Sequence, residues 1–304
     1  MLSAPDSGAF ARDAEDLVQE TYLRAWRSYS GFKGQSSERT WLYRIATNAC
    51  LTALEHRSRR VLPSGLGGAE PDPGAAPEPA GPDVRWLQPI PDALVSPDSA
   101  DPAAIVAARE GLRLALIASL QYLPGPQRAV LILRDVLAFP AAEVAAMLGT
   151  TTTAVKSTLQ RARARLRELA PAANDVTEPA EPQARALVDR YTAAFQNADA
   201  AALTQLLCAD AALEATPFRT WFAGCATCVP FLRDWVLGAP GDWRMLPARA
   251  NGQPAAVCYC RDRDGAYQAY GVVAFTMAGA GITRIVSFGD AGLARVFGFP
   301  LVLP

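Results

Sequence analysis

Ala141-Ala142-Glu143-Val144-Ala145-Ala146-Met147-Leu148, then Gly149-Thr150-Thr151-Thr152-Thr153, then Ala154-Val155-Lys156-Ser157-Thr158-Leu159-Gln160-Arg161-Ala162-Arg163 is the run that decides how the centre of this 304-residue chain folds. The first eight residues predict a short helix. Gly149 follows where a left-handed residue is needed to end it. The threonine run supplies side-chain oxygens to cap the next helix, which the pattern extends to about Leu169. A short helix, a glycine turn and a second helix make a helix-turn-helix. On the second helix Val155, Leu159, Ala162, Leu166 and Leu169 recur at three-to-four spacing and form a packing stripe. Lys156, Gln160, Arg163 and Arg167 form the neighbouring polar stripe, flanked by Ser157, Arg161 and Arg165. Arginine can bond guanine bidentately and glutamine can bond adenine, so this outer face suits a DNA major groove. The N-terminal half of such a helix reads bases, and its distal cations reach phosphate.

Working outward, Leu112–Leu123 and Gln127–Leu137 read as two more helices, separated by Pro124-Gly125-Pro126. Upstream lie two further helical stretches. Asp13–Trp26 carries Ala14, Leu17, Val18, Thr21 and Ala25 on one face; Glu38–Arg59 carries Trp41, Leu42, Ile45, Ala46, Ala49 and Leu54. Residues 61–108 are dense in Pro, Gly, Ala and acid, with few large apolar side chains. Such a segment cannot bury enough surface to offset its chain entropy, which predicts a flexible linker. A second linker is expected over 171–182. The expected divisions are therefore 1–60, 61–108, 109–170, 171–182 and 183–304.

Twenty-nine basic and 30 acidic residues give a net charge of −1, so the chain is no basic coat for nucleic acid. DNA binding must come from local clusters of cations. No apolar run reaches the roughly 18–20 residues of a membrane helix, and residues 1–13 lack the features of a signal peptide. A cytoplasmic location without membrane contact is expected. Six cysteines in 304 residues do not form a disulfide framework. Cys225 and Cys228 make a CxxC, and Cys258 and Cys260 flank Tyr259. Four thiolates can bind zinc, but a mid-strand pair suits core packing better than a metal site. No metal and no cofactor are expected. His56, the one histidine, reads as a surface residue.

After residue 183 the pattern changes. Helices over Ala184–Gln196, Ala200–Leu207 and Thr227–Leu237 accompany strand-like runs at Ala211–Ala215, Trp243–Ala250, Ala255–Arg261, Tyr267–Met277 and Ile282–Phe288. Helices first and an antiparallel meander after them indicate an α+β domain.

Three motifs resemble a known family, the extracytoplasmic-function (ECF) sigma factors of bacterial RNA polymerase. Asp13-Ala14-Glu15-Asp16-Leu17-Val18-Gln19-Glu20-Thr21 is similar to their region 2.2. Thr40 to Asn48 is similar to the region 2.3–2.4 helix, and the helix-turn-helix resembles region 4. The resemblance implies that Asp13, Asp16, Gln19 and Glu20 dock on the polymerase core. It implies that the loop Phe32–Ser37 and Asn48 act at the −10 promoter element. It implies that Lys156, Ser157, Gln160 and Arg161 read the −35 element, with Arg163 added as a DNA contact. In that family another helix precedes region 2.2; here only Met1 to Arg12 do, so either the true start lies upstream or the module is incomplete.

Glu214-Ala215-Thr216-Pro217, Trp221-Phe222-Ala223-Gly224 and the helix after them resemble the SnoaL-like, NTF2-like cone. The implied architecture is multidomain, with two all-α sigma modules and a C-terminal α+β cone. Glu214, Trp221 and Tyr270 are candidates for a pocket that takes a small-molecule ligand, and Phe222, Trp235 and Phe275 are further lining candidates. For catalysis the cone offers Glu214, Asp234, Tyr259, Tyr270 and Asp290. It has no histidine, the usual near-neutral base, so regulation is expected and an enzyme is not. Two other readings stay open: a stand-alone helix-turn-helix regulator without polymerase docking, and an enzyme built on the cone.

Overall fold

The computed structural model describes residues 9–34, 36–55, 59–95, 114–169, 181–279 and 281–303. They form two compact units: Gly8–Arg59 with Ala115–Ala173, and Arg60–Leu114 with Asn174–Pro304, the latter also taking Met1–Ser7, outside the described residues.

The first unit is helical: α1 (Ala9–Ser28), α2 (Glu38–Glu55), α3 (Leu114–Leu120), α4 (Gly125–Leu131), α5 (Ala141–Leu148) and α6 (Thr152–Leu169). Ser37 caps α2 by accepting from the Thr40 N–H at 3.1 Å. Helix α4 runs on as a widened turn through Ile132–Val136. Gly149 ends α5 at φ +63°, and Thr151 Oγ1 accepts from the Ala154 N–H at 3.1 Å to start α6. Val155, Leu159 and Ala162 of α6 are buried with Val144 and Met147 of α5 and with Val130, Leu133 and Phe139. The predicted stripe is therefore the packing face. Each such buried aliphatic side chain contributes about 1.5–3 kcal/mol.

The second unit has helices α7 (Glu181–Gln196), α8 (Ala200–Leu206), α9 (Cys225–Phe231) and α10 (Gly292–Val296). Its strands, after a short parallel pair β1 (Arg60–Val61) and β2 (Arg85–Trp86), are β3 (Leu207–Thr216), β4 (Trp221–Ala223), β5 (Trp243–Ala250), β6 (Gln253–Arg261), β7 (Tyr267–Ala278), β8 (Gly281–Phe288) and β9 (Val302–Leu303). The main sheet runs β4-β3-β8-β7-β6-β5, with β9 on β7; β3 and β8 are parallel and the other pairs antiparallel. One sheet face holds Ala211, Leu213, Ala256, Cys258, Val273, Phe275 and Ile285 against Tyr191 and Phe195 of α7, Leu203 of α8 and Phe231 of α9. This is the expected α+β cone.

Residues 59–95 correct the expectation of a flexible linker; residues 96–113 lie outside the described residues. The stretch is a strap laid along the C-terminal domain. Val61, Leu62 and Leu87 are buried. Glu70 N–H donates to Trp221 O, Arg219 N–H to Glu78 O and Ala80 N–H to Pro217 O, at 2.8–3.0 Å. At its far end Ile90 N–H donates to Asn251 Oδ1 at 3.0 Å, and Asp92 accepts from Arg249 Nε at 3.0 Å and Gly252 N–H at 2.7 Å. Such a composition cannot make a core of its own. The segment instead uses a sheet already built, which exchanges hydrogen bonds with the backbone of Ser64, Gly67, Glu70, Glu78, Ala80 and Ile90.

Candidate nucleic-acid and polymerase interface

Helix α6 presents Lys156, Gln160, Arg161 and Arg163 to solvent, while Ser157 is half-buried. The Ser157 hydroxyl donates to Ala154 O at 3.0 Å, within its own helix. Arg161 Nη2 donates to Thr158 Oγ1 at 3.0 Å, which extends the guanidinium along the exposed face. Arg163 differs from its neighbours. Its Nε and Nη2 form a fork on Asp135 at 2.9 and 2.7 Å, which ties α6 to the segment after α4. The Asp135 carboxylate holds the Arg163 guanidinium more firmly protonated than usual, chiefly through these hydrogen bonds. Asp135 was not read from sequence. It lies 28 residues from Arg163 in the chain, with no local signal linking the two.

In α2, Asn48 is exposed. The loop before it is anchored by Phe32, whose ring lies 5.0 Å from Trp41 and 6.4 Å from Tyr29; Gln35 is outside the described residues. In α1, Asp16 and Gln19 are exposed, and Glu20 pairs with Arg24 at 2.7 Å. The Asp13 side chain lies outside the described residues. Ala25 is buried and Leu17 and Thr21 are half-buried, so these three form the packed line of α1. Val18, Tyr22, Trp26 and Tyr29 form a second apolar line that faces solvent, with Trp26 84% exposed. Sequence periodicity placed Val18 on the packed face; the helix turns it about 100° away from Leu17.

The three pocket candidates do not share a face. Glu214 and Trp221 are directly opposed across the β3–β4 pairing, on the side away from the helix-packed Leu213. There Glu214 is fully buried, ion-paired with Arg284, and accepts the Ser64 N–H of the strap at 2.8 Å. Trp221 Nε1 donates to Gly67 O of the strap at 2.9 Å. Tyr270 instead lies on the helix side, edge-on to Trp243 at 5.1 Å. Burial pushes its hydroxyl pKa up, so it stays protonated. Phe222 and Phe275 are core residues, and Trp235 is 48% exposed.

Of the catalytic candidates, Asp234 is exposed and forked on Arg233 at 2.6 and 2.8 Å, and Tyr259 OH donates to Pro300 O at 2.8 Å. The Asp290 backbone N–H donates to Phe288 O at 2.9 Å. Cys228 and Cys258 are buried, and desolvation pushes each thiol up to about 12. Both are neutral core side chains at ordinary pH. Among the described residues no cluster of three or more His, Cys, Asp or Glu could hold a metal ion. His56 is outside the described residues. No described helix is long and apolar enough to cross a membrane.

Comparison with known proteins agrees with this geometry. Residues 9–60 match the Sigma-70 region 2 family, and residues 113–166 match the Sigma-70 region 4 family. The ECF RNA polymerase sigma factor SigG of Mycobacterium tuberculosis H37Rv is 48% identical over 291 residues, 95% of this chain and 77% of that protein. The ECF RNA polymerase sigma-E factor of Escherichia coli K12 is 28% identical over 155 residues, 50% of this chain and 70% of that one. The crystal structure of the M. tuberculosis extracytoplasmic function sigma factor SigJ matches at a TM-score of 0.60 and 23% identity. That match covers 95% of this chain and 91% of SigJ, so the fold is shared through the C-terminal domain. The SigG identity spans region 2, the strap, region 4 and the α+β domain together, and on it the chain belongs to the ECF RNA polymerase sigma factors.

Proposed function

We propose that this sigma factor reads its promoter with two separate residue sets, and that its C-terminal domain governs how freely those sets move. As a member of the family it directs RNA polymerase to specific promoters; it is an initiation subunit rather than an enzyme. Asn48 and the loop before α2 act at the −10 element. Lys156, Ser157, Gln160 and Arg161 act at the −35 element, and Arg163 braces their helix through Asp135. The face of α1 around Asp13, Asp16, Gln19 and Glu20 docks on the core enzyme. Work on promoter DNA with polymerase sets the place of action in the cytoplasm. A small-molecule ligand of the C-terminal domain binds on its helix side at Tyr270, because the strap occupies the Glu214–Trp221 side.

The observation that carries the regulatory part is the strap. A free linker lets two DNA-reading modules range over many separations. A linker hydrogen-bonded along a folded domain does not. Reconstituted transcription on promoters that differ only in the −10 to −35 spacing tests this. The full-length protein uses a narrow range of spacings, and Glu214→Gln with Asn251→Ala broadens it. An unchanged spacing profile in that variant would count against a governing strap. Absence of any promoter-dependent transcript with core polymerase would favour the stand-alone regulator instead.

A further inference from the structure

The β5–β6 hairpin turns on Asn251-Gly252, both left-handed at φ +56° and +71°, with Ala250 paired to Gln253 on either side. This is the two-residue turn that asparagine and glycine favour. The same dipeptide is the one in which a chain most readily attacks its own side chain. The Gly252 backbone nitrogen bonds to Asn251 Cγ and closes a succinimide ring; the side-chain nitrogen leaves with the displaced proton as ammonia. Water then opens the ring to aspartate or isoaspartate, and it is the one co-reactant. In the folded chain the reacting atoms are held. The attacking Gly252 N–H donates to Asp92 Oδ1 at 2.7 Å. Asn251 Oδ1, on the attacked carbon, accepts the Ile90 N–H at 3.0 Å, and Asn251 N–H donates back to Ile90 O at 3.0 Å. Arg249 fixes Asp92 Oδ2 through Nε at 3.0 Å and Gly252 O through Nη2 at 3.1 Å. Asn251 is 3% exposed, so the water of the second step is kept out. Ile90 and Asp92, which hold the turn from outside the hairpin, both belong to the strap.

We propose that Asn251-Gly252 is a spontaneous deamidation site that the strap keeps closed, so that release of the strap's end starts a slow, one-way covalent change. Ring closure needs the Asn251 backbone to rotate out of the turn geometry and Gly252 N–H to leave Asp92. While the Asp92 carboxylate accepts that N–H, it opposes the loss of the proton that would make the nitrogen a nucleophile. Both conditions are met when residues 90–92 lift, an opening far smaller than unfolding of the domain. The product does not take the strap back. An aspartate at position 251 sets a second carboxylate near Asp92, and the like charges repel. An isoaspartate adds a methylene to the backbone of a two-residue turn and spoils the register that the turn sets. The inference stands on the strap's contacts alone and does not depend on how promoters are read.

The test ages the full chain in neutral buffer, digests it with trypsin and follows peptide 250–261, whose ends are set by Arg249 and Arg261, by mass spectrometry. Fragment ions place the mass gain of amide-to-acid conversion at Asn251 rather than at Gln253. The urea-unfolded chain gives the unguarded rate, and the folded wild type is slower by about a hundredfold or more. Asp92→Ala speeds conversion in the folded chain by about ten- to hundredfold, the scale of one shielded hydrogen bond to a carboxylate. In the wild type under graded urea, conversion rises before amide exchange does at Val257, which is fully buried in β6 and paired with Val272 of β7. That series needs no variant, so it decides the question even where Asp92→Ala fails to fold. Converted protein is nicked by trypsin at half-buried Arg85 of the strap faster than fresh protein. A folded rate equal to the unfolded one, an unchanged rate in folded Asp92→Ala, conversion that rises only together with Val257 exchange, or equal nicking of fresh and converted protein overturns the proposal.

Discussion

The helix-turn-helix and the strap share one trait of composition and are built in opposite ways. Both are poor in aromatic side chains and rich in small residues. The helix-turn-helix carries its own instructions: a stripe at three-to-four spacing, a left-handed glycine and a capping threonine, all within about 25 residues. The strap has none of these. Its order comes from partners more than 120 residues away in the chain: Glu214, Trp221, Asn251 and Arg249. A segment with no periodicity can still be specified, provided a prebuilt surface supplies its hydrogen bonds.

That contrast can be broken at several points. The largest effect is expected at the strap's buried anchor. Leu87 is 1% exposed, so Leu87→Ala should cost the C-terminal unit about 2–5 kcal/mol. Chemical denaturation followed by fluorescence would show it, and a cost below 1 kcal/mol would mean the strap is not integral to that fold. Next is the reading helix. Arg161→Ala should weaken promoter binding by about 1–3 kcal/mol while leaving the melting temperature unchanged; a parallel loss of stability would assign the residue to packing. Gly149→Ala follows. A methyl group there meets no atom within 4 Å, so the whole cost, about 1–2 kcal/mol, is that of a left-handed backbone. A neutral substitution would show that the turn tolerates another conformation. Smallest is Arg163→Ala. Its partner ion pair is more than half exposed on the arginine side, so stability should fall by less than about 1 kcal/mol. The sharper readout is promoter binding, where loss of the brace should cost less than loss of Arg161.

Much of the fold was legible because it is local. Ala141–Leu148 and Trp243–Ala250 fall where the periodicity puts them. The pocket trio was not legible, because a strand pattern says which residues alternate and not which face is which. Pairing fixes Glu214 opposite Trp221. Tyr270 sits beside a register shift at Cys258/Tyr259, which breaks the simple count along β7. The hydrogen bond from Thr40 to Glu143 was hidden for a related reason: the two are 103 residues apart, and each reads by itself as a helix-terminal polar residue. Asn251-Gly252, with φ of +56° and +71°, is the tight hairpin turn that joins β5 to β6, and it is also the grip on the strap.

The pairing of Arg60 with Arg85 and Val61 with Trp86 sets the two ends of the intervening excursion side by side, one inter-strand step of about 4.8 Å apart. Residues 62–84 therefore form a closed detour: the chain runs along the C-terminal sheet and returns to almost the same place. Only the tip of such a detour is exchangeable. Between Glu70 and Glu78 its length and sequence can change without altering the path from Arg60 to Leu87 or the anchors on Glu214, Trp221 and Arg219. The span of the linker and the content of the linker are separate inheritances, and this stretch can diversify while promoter geometry stays fixed.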